Sequence, residues 1–289
     1  MTVTAEPTAV PPVAAPPVIV LGANQSFAGR LRAAVGDLLW TGALWRLWTT
    51  LAWLDVKARY RGSLLGPLWA TLSTGLMVAG IGTLYSSLFR VPRADYVPFI
   101  ALSLVLWNYL SGLVVEACHC FVRHEPIIRS TRLPLGLYAA RTVVNALILL
   151  LHSALVVVVV FVIYGVWPGL AAWSAIPALL IWIANSVACC LLLGTLSARF
   201  RDIPPIVASM IQFVFFITPV IWTPESLGIH QWLLVFNPAY CLLEIVRAPL
   251  MGAAASLSVW LAALAYSAAL IGITAVVFAR LRGRIAYWI

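Results

Sequence analysis

The sequence predicts an all-α, polytopic membrane protein. It has six transmembrane helices, an N-terminal amphipathic helix lying in the interface, and a re-entrant outer segment before the last span. Three observations carry this. Of 289 residues, 63% are hydrophobic and only 9% charged, with a mean hydropathy of +1.01, more apolar surface than a water-exposed domain of this size could bury. The charges stand in clusters separated by long uncharged runs. The net charge of +9 is concentrated in the clusters that a single topology would place on one side of a membrane. A nucleic-acid binder of this basicity would need a polar scaffold carrying a basic face, so no nucleic-acid partner is expected.

Residues 1–37, with "PTAVPPVAAPPV", read as a Pro/Ala-rich flexible arm. They lack the positive start and unbroken apolar core of a secretory signal. Residues 38–61 read as one interfacial helix. Trp40, Leu44, Leu47, Trp48, Leu51 and Leu54 fall on one face, with Arg46, Thr49, Thr50 and Lys57 on the other. Trp53 on the polar side and Asp55 on the apolar side blur the pattern. Gly62 and Gly66-Pro67 then let the chain turn from lying flat to crossing.

Residues 62–289 form the six-span domain. Uncharged runs at 64–89 and 97–115 supply spans one and two, and 142–198 supplies two more, broken by "GVWPG" at 165–169. A fifth covers 203–224, and 248–279 contains the sixth. Residues 225–247 also contain a long uncharged stretch, but crossing there would carry Arg280, Arg282 and Arg284 to the other side. With six spans, only Arg90, Arg93 and Arg247 lie opposite the remaining cations, so the positive-inside rule selects six spans with both termini cytoplasmic. Residues 225–247 become re-entrant.

Little in the chain speaks of chemistry. Cys118, Cys120, Cys189, Cys190 and Cys241 make no disulfide framework. Cys118-His119-Cys120 with His124 is tighter than usual zinc spacing, and buried small side chains account for it better than a metal does. Lys57 is the only lysine and no Gly-rich phosphate loop precedes it, so nucleotide hydrolysis is not expected in this chain. The spans offer Glu116 and His152 as ionisable groups, with Asn108, Asn145, Asn185 and Gln212 as neutral ones. Helix–helix hydrogen bonding suits these amides better than a proton relay.

Five elements in order are distinctive: "RYRGSLLGPLW" entering span one, "EPIIRSTRLPLGLYAAR" in the first inner loop, "ARFRDI" opening span five, "TPVIW" closing it, and "NP" then "EIVR" before span six. Together they resemble the ABC-2 type permeases of ABC transporters, in the branch exporting polysaccharides and polyol phosphates (O-antigen, capsule and teichoic acid types). The resemblance implies an inner-membrane permease for a lipid-linked polysaccharide, working as a homodimer with two copies of a separate ATPase subunit. ATP and Mg would then reside on that subunit, leaving no cofactor in this chain.

The first cytoplasmic loop, 123–141, would carry the coupling helix, with Arg123, Glu125 and Arg129 as contacts, and Arg199, Arg201 and Asp202 would form a second contact. Lys57, Arg59 and Arg61 would meet an anionic substrate headgroup. Tyr85, Phe89, Tyr109, Phe215 and Phe216, near span ends, are candidates for stacking on a passing glycan, though aromatic belts facing lipid use the same residues. Export of a small amphiphile or drug, or a non-transporting scaffold role, remain the alternatives.

Overall fold

Long apolar runs joined by short polar links have one low-energy arrangement in lipid: helices that satisfy their own backbone and pack side by side. The computed structural model shows this arrangement and describes residues 26–62, 66 and 68–289. Positions 1–25, 63–65 and 67, which hold most of the expected arm and part of the turn into span one, lie outside the described residues. In chain order the helices are α1 (Phe27–Ala43), α2 (Trp45–Arg59), α3 (Leu68–Phe89), α4 (Arg93–Cys118), α5 (Glu125–Ser130), α6 (Leu135–Tyr164), α7 (Ala175–Arg199), α8 (Ile203–Ile217), α9 (Pro238–Leu250), α10 (Leu257–Leu281) and α11 (Ile285–Trp288). No strand occurs among the described residues.

Helices α3, α4, α6, α7 and α10 are long and apolar enough to cross a bilayer. Helix α4 is central, packed against α3, α6, α7, α8 and α9, and most of its side chains from Tyr96 to Tyr109 are buried. It begins at Arg93 rather than at 97, because Pro92 precedes it and Asp95 sits in the first turn, where a negative charge suits the helix dipole. The expected break after span three is present: Gly165 ends α6 in the left-handed region, at φ 68°.

The fifth span departs from a simple helix. Only Ile203–Ile217 is helical, and 15 residues at about 1.5 Å each reach about 22 Å, short of the roughly 30 Å hydrocarbon core. Pro219 has no N–H to continue the ladder and drives Thr218 extended, at φ −95° and ψ 134°. Irregular backbone at membrane depth persists only where protein satisfies its polar groups. Later segments do this. Arg247 Nη1 donates to the Pro219 carbonyl at 2.6 Å and to Ser103 Oγ at 3.0 Å. Tyr96 donates to the Ile221 carbonyl at 2.5 Å. Asn237 Nδ2 donates to Thr218 Oγ1 at 3.0 Å, while its Oδ1 caps α9 by accepting from the Ala239 N–H at 3.0 Å. Arg247 is 2% exposed, pairs with Glu244 through Nη2 at 2.5 Å, and lies 4.6 Å over the Phe99 ring. The "TPVIW", "NP" and "EIVR" stretches are therefore one packed unit.

That unit packs near the start of α4, at the end of the bundle opposite Arg59 and Arg123. The 3₁₀ segment Pro224–Phe236 and α9 meet at 112°, so the chain turns back on itself where a re-entrant segment was expected. Helix α9 runs on to Leu250 and packs against α4, α7, α10 and the Gly169–Ser174 turn.

At the cationic end the expected arm to residue 37 and single helix over 38–61 are corrected. The chain is helical from Phe27, and two helices meet at Leu44. Ser26 starts α1 by accepting from the Gly29 N–H at 3.3 Å, and Leu31 and Ala34 pack into the core that holds Phe278 of α10. Close approach of α1 to α6 depends on Gly136. A Cβ there would stand 2.5 Å from Thr41 Oγ1 and 3.1 Å from Leu38 Cδ2. The Gly136 N–H donates to Asp37 at 3.0 Å, and Arg282 bonds the Ala33 carbonyl beside it. Gly136→Leu is expected to cost about 1–3 kcal/mol by overpacking this crossing. The readout is a lower thermal midpoint of the detergent-purified protein, with a smaller loss for Gly136→Ala.

Candidate functional site

Polar side chains at membrane depth are costly unless they face protein or a water-filled cavity. Helix α4 carries Asn108, Ser111, Gly112 and Glu116 along one face. They line a cavity of about 540 Å³ with Ser73 and Thr74 of α3, Ser153 of α6, and Arg59 and Tyr60 where α2 ends. A second cavity, of about 500 Å³, shares Arg59, Glu116, Ala146 and Leu149 with the first and runs to the cationic end past Asp55, Arg123 and His124. The two make one cleft from that end into the middle of the bundle, in which these polar groups are set among Val105, Leu113, Val115, Leu149, Leu150 and Ile211.

Inside the cleft Asn108 is exposed and makes no side-chain hydrogen bond among the described residues. Asn185, by contrast, is buried and donates to Ser267 at 2.8 Å, which is the helix–helix role expected of the amides. Asn145 donates to Asp55 at 3.1 Å. Gln212 lies exposed on α8.

The mouth of the cleft is a set of ion pairs. Glu116 stands between Arg59, whose Nη2 is 3.6 Å from Oε1, and Arg123, which donates to Oε2. Asp55 faces α6, where Arg141 grips both its oxygens at 2.5 Å. Burial by itself would raise the Asp55 carboxyl, but hydrogen bonds from Arg141 and Asn145 outweigh it and hold it below its ordinary value of 3.8. His124 goes the other way. Burial lowers its imidazole below 6.5, although Nδ1 lies 2.9 Å from the Cys120 carbonyl.

Of the three cations assigned to a headgroup, only Arg59 lines the cleft. Lys57 and Arg61 are exposed beside it and form no ion pair among the described residues. On α5, Glu125 and Arg129 pair across one turn at 3.1 Å, both partly exposed, and Arg129 also donates to the Ile289 backbone oxygen. Arg123 turns back to Glu116. Arg199 lies 5.4 Å from the Phe200 ring and 5.0 Å from that of Trp288, with Arg201 and Asp202 exposed next to it. Contacts of α11 with both α5 and α7 gather these residues at one surface.

The five chosen aromatics do not form one wall. Tyr85 and Phe89 are 5.5 Å apart and continue into Tyr96 and Phe99 at the opposite end. Tyr109 is 4% exposed, stacked 5.3 Å from Trp182 and bonded to Ser186 at 2.9 Å, a core residue that shows the cleft one edge. Phe215 packs 5.5 Å from Trp107, and Phe216 beside it is exposed. The cleft's own polar lining, Ser73, Thr74, Asn108, Ser111 and Ser153, was not singled out from sequence as a binding surface. The available signal was the helical spacing of 108, 111 and 112, with Glu116 one turn on.

Comparison with known proteins gives a consistent picture. The profile of the ABC-2 type transporter family matches residues 46–251. An "O-antigen export system permease protein RfbA" of Klebsiella pneumoniae is 25% identical over 199 residues, covering 68% of this chain and 77% of that protein. A second Klebsiella pneumoniae protein of that name is 23% identical over 199 residues, with the same coverage. The protein of that name from Myxococcus xanthus is 26% identical over 200 residues, covering 67% of this chain and 76% of its own length.

Proposed function

Since the chain belongs to the ABC-2 type transporter family, we propose that it is the permease of an exporter that moves a lipid-linked polysaccharide, of the O-antigen, capsule or related surface-glycan type, across the inner membrane. Family membership implies an ABC ATPase as partner. In this reading two copies of the permease pair around the export path and two ATPase subunits drive them, carrying the ATP and Mg. The names of the relatives support the cargo. The positive-inside rule assigns the cationic end, with both termini, to the cytoplasm.

The cleft, charged at its mouth and dotted with hydroxyls inside, is the observation that carries the proposal. It begins among charges beside the interfacial helix and continues past the hydroxyls of Ser73, Thr74, Ser111 and Ser153, set among aliphatic side chains, to the exposed Asn108, a mixed lining that suits a glycan with both polar edges and apolar faces. The exposed α5 pair Glu125–Arg129 and the neighbouring Arg199, Arg201 and Asp202 serve as the ATPase-docking surface. Lys57, Arg59 and Arg61 receive the headgroup at the cleft mouth.

Changing Lys57, Arg59 and Arg61 together to Gln should leave insertion and ATPase co-purification intact, because orientation is spread over many other cations. Export should stop. The measurement is surface glycan beside lipid-linked precursor in the same cells: precursor accumulates and surface product disappears. Normal surface glycan in this variant removes the headgroup role, and normal surface glycan in cells lacking the chain overturns the export reading itself.

A further inference from the structure

We propose that Glu116 is a resident counter-ion holding the place of a ligand phosphate: Arg59 and Arg123 form the site for the phosphate or pyrophosphate headgroup of a polyprenyl lipid, which displaces Glu116 when it binds. The inference rests on the export reading above and names the atoms that would read the cargo's anionic group.

Arg59 and Arg123 come from different elements, the end of α2 and the turn that follows α4, yet converge on the two oxygens of one carboxylate. Each guanidinium meets Glu116 through one nitrogen, so both keep further N–H donors free for the additional oxygens of a phosphate. The three side chains are 42%, 51% and 33% exposed for Arg59, Arg123 and Glu116, so solvent screens the pairing and its disruption is cheap. A phosphate brings more acceptor oxygens and up to twice the charge, so it outcompetes the single carboxylate.

The neighbouring groups do not repel it. Asp55 is already neutralised by both of its bonds to Arg141. With Glu116 displaced, the mouth presents two unopposed cations, the charge a pyrophosphate requires.

The surroundings point to a lipid-borne phosphate. The cleft shares Val105, Tyr109 and Leu150 with an almost wholly apolar cavity of about 600 Å³ between α4, α6 and α7. The cleft that holds Glu116 at its mouth thus joins, on its deeper side, a cavity apolar enough for a lipid tail.

The test uses the full-length protein in nanodiscs and a labelled polyprenyl pyrophosphate, with polyprenol, inorganic pyrophosphate and phosphatidylglycerol as parallel probes. Arg59→Gln and Arg123→Gln are each expected to weaken binding of the polyprenyl pyrophosphate about tenfold or more, as loss of a charge-assisted bond does. Glu116→Gln is expected to tighten it severalfold while each variant elutes as the wild type does. Polyprenol binding should not respond to any of the three. Inorganic pyrophosphate or phosphatidylglycerol competing as strongly as the polyprenyl pyrophosphate would overturn the assignment to that lipid. Binding by the wild type that none of the three substitutions changes would overturn the site and leave the export reading standing. No binding by the wild type, together with normal surface glycan in cells lacking the chain, would sink both.

Discussion

Arg247→Leu is expected to remove most of the folded protein. Its guanidinium is 2% exposed and bonds Glu244, Ser103 and the Pro219 carbonyl at once. Leucine leaves the Glu244 carboxylate without its partner and the Pro219 carbonyl without a donor, inside the bundle. Breaking a buried pair by removing one partner costs about 3–5 kcal/mol, a large share of the roughly 5–15 kcal/mol that holds a folded domain together. The check is the yield of monodisperse protein and its thermal midpoint. Arg247→Lys should fall between, since it keeps the charge but not the fork. A wild-type midpoint in Arg247→Leu would mean that the extended 218–223 segment is held by something other than this arginine.

The second large effect is at the joint between α2 and α6. Arg141→Leu removes both bonds to Asp55 and leaves only the one from Asn145 at 3.1 Å. The expected loss is about 2–3 kcal/mol, because Asp55 retains some solvent. Export should fall with it, as α2 no longer sits against the cleft. Asp55→Arg combined with Arg141→Asp should recover more than half of the stability, whereas a double change that recovers nothing would deny that this pair joins the helices. The dependence on pH follows from the carboxyl being held below its ordinary value. Its contribution is complete above the usual carboxylate range, about pH 4, and is lost as pH falls further through the lowered value. The thermal midpoint of the wild type should therefore drop at the acid end, with a flatter profile in Asp55→Leu/Arg141→Leu.

Much of the architecture was legible because lipid makes simple demands. Uncharged run lengths located the five long spans, Gly165 marked a turn, and the side on which cations gather argued against a further crossing at 225–247. Helix α1 was not legible. Phe27, Leu31, Ala34 and Val35 do recur at helical spacing, but Gly29 and Gly36 and the Pro-rich stretch before them weaken the signal, and packing on α6 and α10 stabilises the helix. Asp55 looked like a defect in an apolar face because its partner Arg141 lies 86 residues away. Asn108 and Asn185 read alike in one dimension, and only the presence of Ser267 beside one of them separates glue from cleft lining. The "TPVIW" and "EIVR" stretches could be recognised as marks of a family, but their physical reason, a broken span needing donors, exists only in three dimensions.

The brevity of α8 carries a consequence for the bilayer itself. Its outward stripe of Ile206, Met210, Phe213 and Ile217 ends with the helix, so a lipid lying along it meets a hydrophobic length about 8 Å too short. Such mismatch costs a fraction of a kcal/mol per ångström, relieved by thinning the membrane locally or by covering the stripe with protein. Acyl-chain length therefore acts as a lever: thicker membranes penalise a solitary chain more and favour whatever arrangement takes α8 out of contact with lipid.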